Sequence, residues 1–277
     1  MKASNLLLIL ALGLATRPAV AEAQDWRTMT TLRQFNGENA LQVDVEYGAG
    51  RLRISPADDR SLYRATLRYD ADNFQPVSSY ENGRLRIGVD GGTIRGRNNR
   101  PGQLDLALGT LVPLDLALKF GAGTADVELG GLRVRSTEVQ TGASETRIRV
   151  STPNPVRCTS ARFEIGAAQF RVEGLANLNC ERILVSGGVG EVTLDFTDEL
   201  RASSSIGVEM GLGSLILRVP RGTAVSVRKK GVLSSFDSQG LIKRGDVYYS
   251  ENFEQAEHRL TFDIDAALGS IRIQWVN

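Results

Sequence analysis

A short glycine-centred phrase returns every 21 to 24 residues along the middle of this chain: Gly121-Ala122-Gly123, Gly142-Ala143-Ser144, Gly166-Ala167-Ala168, Gly188-Val189-Gly190 and Gly211-Leu212-Gly213. Looser copies stand outside the run, at Gly48-Ala49-Gly50 and Ala267-Leu268-Gly269. A fixed period in this range marks a solenoid, whose repeats bury their apolar side only by stacking on one another. The interval is too long for one propeller strand and too short for a helical repeat, so it predicts one turn of a β-helix per phrase.

With the first residue of each phrase as zero, positions +4 and +6 are Leu52/Ile54, Ala125/Val127, Thr146/Ile148, Phe170/Val172, Val192/Leu194, Leu215/Leu217 and Ile271/Ile273. Positions −5 and −3 are Val43/Val45, Leu116/Leu118, Thr137/Val139, Ala161/Phe163, Ile183/Val185, Ile206/Val208 and Phe262/Ile264. Strand alternation puts each set on one face. The inward offsets are odd before the phrase and even after it, so a bend or bulge must absorb a slip of one residue, and glycine allows that corner. A dinucleotide fingerprint does not fit: the third glycine would fall on Asp126 or Ile216, and a strand, not a helix, follows each phrase.

The outward +7 positions read Glu128, Arg149, Glu173, Asp195 and Arg218, a ladder of alternating charge that places Arg149 between two carboxylates. Cys158 and Cys180 each lie eight residues ahead of a phrase, which stacks them in adjacent coils. Neighbouring strands are about 4.8 Å apart, inside disulfide reach, and a Cys158–Cys180 bond is expected in an exported chain.

Residues 1–23 carry Lys2, an apolar run from Leu6 to Leu14, and small residues placed for cleavage near Ala21 or Ala23, the pattern of a secretory signal peptide. The run is too short to span a bilayer, and no membrane span is expected elsewhere. The protein is expected to be periplasmic or secreted. A formal net charge of +1 falls to neutrality once the signal is removed, which argues against nucleic acid as a partner. The expected organisation is a signal peptide at 1–23, an N-terminal part at 24–110 with inserted strands, and a solenoid at 111–277.

Two stretches break the pattern. In residues 56–110, Leu62 to Tyr69 and Tyr80 to Val89 alternate around an Asn82-Gly83 turn and read as added antiparallel strands. The stretch at 91–102 that follows, with Arg95, Arg97 and Arg100, reads as a loop with a possible anion-binding role. The second break mixes basic and aromatic residues: Lys229, Lys230, Phe236, Lys243, Arg244, Tyr248, Tyr249 and Phe253. It is read either as a contact surface or as a cap on the last coil.

No catalytic constellation stands out. The one histidine, His258, is isolated; there is no Gly-x-Ser-x-Gly elbow and no metal-ligand spacing, so neither metal nor cofactor is expected. The outward +5 ladder of Asp126, Arg147 and Arg171 leaves carbohydrate cleavage as an enzymatic alternative.

The phrases Tyr47-Gly48-Ala49-Gly50-Arg51-Leu52, Phe120-Gly121-Ala122-Gly123, Gly213 to Pro220, and Arg244-Gly245-Asp246-Val247-Tyr248 resemble the bacterial toast-rack family, related to the C-terminal domain of LiaF-type envelope-stress regulators and to adhesin-like proteins of the DUF4097 and DUF2154 kind. The resemblance implies a β-helical, non-catalytic envelope protein and brings no catalytic residues. The expectation is thus an all-β, right-handed β-helix with coils of about 22 residues, acting as an adhesin-like binding module on an envelope protein, a polysaccharide or itself. A self-assembling scaffold and an envelope-stress regulator are the other non-enzymatic readings.

Overall fold

The computed structural model describes residues 25–90, 102–231 and 233–277. The strands are β1 (Trp26–Gln34), β2 (Leu41–Pro56), β3 (Ser61–Asp70), β4 (Gln75–Glu81), β5 (Arg84–Asp90), β6 (Gln103–Leu108), β7 (Pro113–Glu128), β8 (Arg133–Arg149), β9 (Cys158–Glu173), β10 (Cys180–Asp195), β11 (Ser204–Pro220), β12 (Ala224–Lys230), β13 (Leu233–Asp237), β14 (Ile242–Arg244), β15 (Val247–Tyr249) and β16 (Arg259–Val276). They join one open sheet. The signal peptide and Arg95, Arg97 and Arg100 lie outside the described residues.

Seven long strands, β2, β7, β8, β9, β10, β11 and β16, pair in parallel in that order, and each contains one glycine phrase. Every residue assigned inward at −5, −3, +4 and +6 is buried. Position −1 joins them in six of the seven coils, as Tyr47, Phe120, Thr141, Ile165, Met210 and Ala266. Burial of these aliphatic and aromatic side chains, each contributing about 1.5–3 kcal/mol, holds the stack. The phrase is the corner at which the inward set changes parity. At Gly213 the backbone takes φ +146°, and a Cβ there would lie 1.8 Å from the carbonyl oxygen of Gly190 in the coil below. At the first position of the phrase the reason is different: a Cβ on Gly121 would meet the Gly48 carbonyl oxygen at 2.2 Å without any unusual φ.

Both ends of the stack finish alike, which the sequence reading did not anticipate. On one side of β2, β5 and β6 pair in parallel with its two halves, matching Val43 to Leu85 and Leu52 to Leu104. The segment read as an interruption therefore supplies a further level of the solenoid, hidden in the sequence because its halves are separated by residues 91–101 and no glycine phrase joins them. The expected antiparallel hairpin is present as β4 and β5, with positive φ at Asn82 and Gly83. At the other end β12 and β13 pair in parallel with the two halves of β16. The last strand in sequence is thus inserted between β11 and a level formed earlier in the chain.

Candidate functional site

The basic and aromatic residues of the second break lie on the terminal level and on the two short strands that extend it. β15 pairs antiparallel with β12, and β14 with β15, so β14 is an edge among the described residues. Alternation sends the adjacent Tyr248 and Tyr249 to opposite faces. Tyr248 meets Phe236 edge to face at a centroid distance of 5.0 Å, and both pack against the core. Tyr249 meets Phe253 at 5.1 Å. The aromatic residues thus form two clusters, and the inner one serves as the lid of the last coil.

The four cations divide in the same way. Lys229 donates from Nζ to the carbonyl oxygens of Gly231 at 2.9 Å and Ser234 at 2.7 Å, fastening the turn between β12 and β13. Lys230 pairs with Asp263 at 3.3 Å, beside Arg228 at 3.5 Å from the same carboxylate. Lys243 and Arg244 have no ion pair among the described residues. Their charges stand over the rings of Tyr248 at 5.4 Å and Tyr249 at 5.9 Å. Ile242, beside them on the same edge strand, is 49% exposed.

Two anchors of this region escape the sequence reading because both belong to β16. Arg259 stands over Phe253 at 5.3 Å and donates to the carbonyl oxygens of Ala256 and Glu254. Trp275 donates from Nε1 to the Gln239 carbonyl oxygen at 2.7 Å. A lone arginine at the start of a strand and a tryptophan at its end carry no periodic signal.

Cys158 and Cys180 face each other in the β9–β10 register and are joined by a disulfide, with Cα atoms 4.2 Å apart. The charge ladders run as the sequence placed them, but one pairing differs. Arg149 reaches back to Glu128 at 3.5 Å and Asp126 at 3.8 Å, while Glu173 is held by Arg147, with Nη2 to Oε1 at 2.6 Å and Nε to Oε2 at 3.1 Å. Arginine is long enough to reach a carboxylate two positions along the neighbouring strand, and the two-pronged geometry at Glu173 wins over the directly opposite partner. This hydrogen bond to Arg147 is the main cause holding the Glu173 carboxyl below the usual glutamate range. Asp195 is buried and receives a hydrogen bond from Arg218 at 2.5 Å.

Asp126, Arg147 and Arg171 lie in one register across β7, β8 and β9. The hollow beside the two arginines measures about 220 Å³ and is lined by Glu145, Gln169 and Glu191 among others. His258 lies in the bend ahead of β16. Among the described residues no group of three or more His, Cys, Asp or Glu side chains is placed to hold a metal ion, and no helix is long and apolar enough to cross a membrane.

No curated protein matches the chain. Among solved structures, a candidate cell adhesion protein from Clostridium sporogenes ATCC 15579 is 16% identical, covering 91% of this chain and 100% of that one at a TM-score of 0.47. A candidate adhesin from Bacteroides fragilis NCTC 9343 is 12% identical, covering 91% and 98% at a TM-score of 0.46. The family model for the N-terminal domain of toast_rack, DUF2154, matches residues 21–173, more than half of the sequence, and the chain belongs to that family.

Proposed function

We propose that this protein is an exported, non-enzymatic binding module of the cell envelope, adhesin-like in its action, and that its contact face is the β14–β15 edge. The observation that carries the reading is the pair of cations at Lys243 and Arg244, which stand over tyrosine rings and have no carboxylate partner among the described residues. Cations left unneutralised on an edge strand, next to an exposed isoleucine and two tyrosines, form a surface of the kind that anchors binding. The charge fits an acidic partner, either an envelope polysaccharide or an acidic protein. Lys229, Lys230, Phe236 and Tyr248 support this edge from behind, and Tyr249 and Phe253 shape its outer side.

The test is capture from an envelope fraction, and separately of an acidic polysaccharide, by the immobilised mature protein and its Lys243→Ala/Arg244→Ala variant. These substitutions leave the lid of Phe236 and Tyr248 in place, so folding should be retained. Capture reduced about tenfold, equivalent to about 1.4 kcal/mol, supports the reading. Equal capture by the variant removes this edge as the contact face.

A further inference from the structure

The middle residue of the glycine phrase points outward at the corner of each coil, and the molecule contains its own control for what the fold asks of that position. Coils β2, β7, β8 and β9 place alanine there, at Ala49, Ala122, Ala143 and Ala167. The next three coils place Val189, Leu212 and Leu268, and the terminal level adds Leu233. These four pair in one unbroken register from β10 to β11 to β16 to β13. They are 52%, 47%, 48% and 69% exposed. Since alanine serves the same corner in four coils, the large side chains are not needed for folding. A contiguous line of them facing solvent marks an interaction site.

The flanks decide what covers it. Glu209 and Asp265, two residues ahead of the corner glycine position, and Glu191, three residues after it, have no ion pair among the described residues. The nearby Lys230 is committed to Asp263. The same outward places in the alanine half also hold carboxylates without an ion pair among the described residues, at Glu46, Glu145 and Glu164, but the corner residue between them there is small. A second copy laid ridge to ridge with its stack reversed would set Glu209 and Asp265 against their own counterparts, and an anionic membrane surface would meet the same repulsion. A basic partner would not.

Geometry narrows the partner further. The ridge advances about 4.8 Å per coil and spans about 14 Å over its three steps. Side chains at i and i+4 on a helix are about 5–6 Å apart, close to that step. Alternate side chains on an extended strand are about 7 Å apart and fall out of phase. We infer that the valine–leucine ridge of the last four levels, with its unpaired carboxylates, is a docking surface for a basic amphipathic helix of another protein lying along the stack. This site is separate from the β14–β15 edge and carries the opposite charge, so it stands or falls independently.

The experiment is fluorescence anisotropy with a labelled leucine/lysine amphipathic peptide of about 18 residues, long enough to span the ridge as a helix, and its leucine/glutamate counterpart. The mature protein is compared with Val189→Ala/Leu212→Ala/Leu268→Ala, which restores the residue used in the other coils. A second variant, Glu191→Gln/Glu209→Gln/Asp265→Asn, leaves the apolar packing untouched. The basic peptide should bind the wild type, each variant should lose about tenfold or more in affinity, and the acidic peptide should not bind. Absence of binding to the wild type, binding to either variant as tight as to the wild type, or equal binding of the two peptides overturns the proposal. So does concentration-dependent dimerisation, or capture on phosphatidylglycerol vesicles, that the alanine variant abolishes while peptide binding is unchanged, because the ridge would then belong to a second copy or to a lipid surface.

Discussion

Five corners of the stack close on a glycine at the third position of the phrase, and two, at Ser144 and Ala168, close on a residue with a side chain. At Gly50, Gly123, Gly190, Gly213 and Gly269 the backbone has positive φ; at Ser144 and Ala168 it does not, and the side chain is buried. The inward set changes parity at all seven corners, so glycine is not what permits the bend. What it preserves is the ladder through the bend. Where at least one of two neighbouring corners ends in glycine, pairing resumes after a single skipped residue, as in Phe120 with Thr141 followed by Ala122 with Ala143. Between β8 and β9, where neither does, it lapses from Thr141/Ile165 to Glu145/Gln169.

Side chains tie the open pair instead. Arg147 of β8 grips Glu173 of β9. In the turns that follow these strands, buried Asn154 donates to the carbonyl oxygens of Val134 at 2.7 Å and Leu178 at 3.0 Å, and Asn177 donates to that of Val150 at 3.0 Å. The disulfide then joins β9 to β10. The β8–β9 pair thus lacks the corner ladder and relies on side chains, which other pairs carry in addition to it, as with Arg149 and Glu128 or Arg218 and Asp195.

The sharpest way to break this comparison is Gly213→Ala. Positive φ and a Cβ 1.8 Å from a backbone oxygen act together there, and the neighbouring backbone cannot yield without disturbing the ladder. A loss of about 3 kcal/mol or more is expected. In calorimetry that is a fall in Tm of roughly 6–12 °C for a chain of this size. A shift of under about 2 °C would mean the corner is plastic and its glycine incidental. Next in size is the Cys158→Ala/Cys180→Ala variant, whose bond closes a loop of 22 residues and contributes about 3 kcal/mol, less any strain it releases. Denaturation with and without reductant should reproduce the same difference in the wild type and none in the variant.

The repeat was legible because its cause is local: period-two alternation and a steric demand at the corner are both written in consecutive residues. The disulfide register was legible for the same reason, since equal offsets from the phrase become equal heights in the stack. The end levels were not. β5 and β6 form one level from segments separated by residues 91–101, and β16 enters between β11 and β12 after the chain has passed that place. Such pairings have no signature within either segment. The candidate site was half legible. Composition found the basic and aromatic residues, but nothing local says that Lys229 turns onto carbonyl oxygens while Lys243 stays outward, or that the start and the end of β16 supply Arg259 to Phe253 and Trp275 to Gln239.

Glu173→Gln should test the side-chain tie with a smaller effect. Its carboxyl is lowered by Arg147, so the folded form binds its proton less readily than the unfolded chain. That contribution is fully present above the ordinary glutamate value of about 4.3 and fades as pH falls through the lower folded value. Arg147 is half exposed, so solvent screens the pair, and about 1 kcal/mol is the expected scale. The wild type should lose its advantage over the variant on acidification below about pH 4.3. A constant difference across that range would assign the loss to packing and not to the charge pair.

The smallest effect, and the most direct probe of what the glycine does, is expected from Ser144→Gly. Removing the buried hydroxyl forfeits its 3.0 Å contact with Thr146 and adds backbone freedom to the unfolded chain, a cost of about 0.5–1 kcal/mol. If glycine preserves the ladder, the substitution should also close the gap between β8 and β9, because one glycine per neighbouring pair suffices elsewhere in the stack. Stability would then change little, while hydrogen exchange at the amides of Gly166, Ala167 and Ala168 would slow. Unchanged exchange at those three amides would show that the gap belongs to the Ala168 side of the corner, and would shift the cause from backbone freedom to the buried methyl of β9.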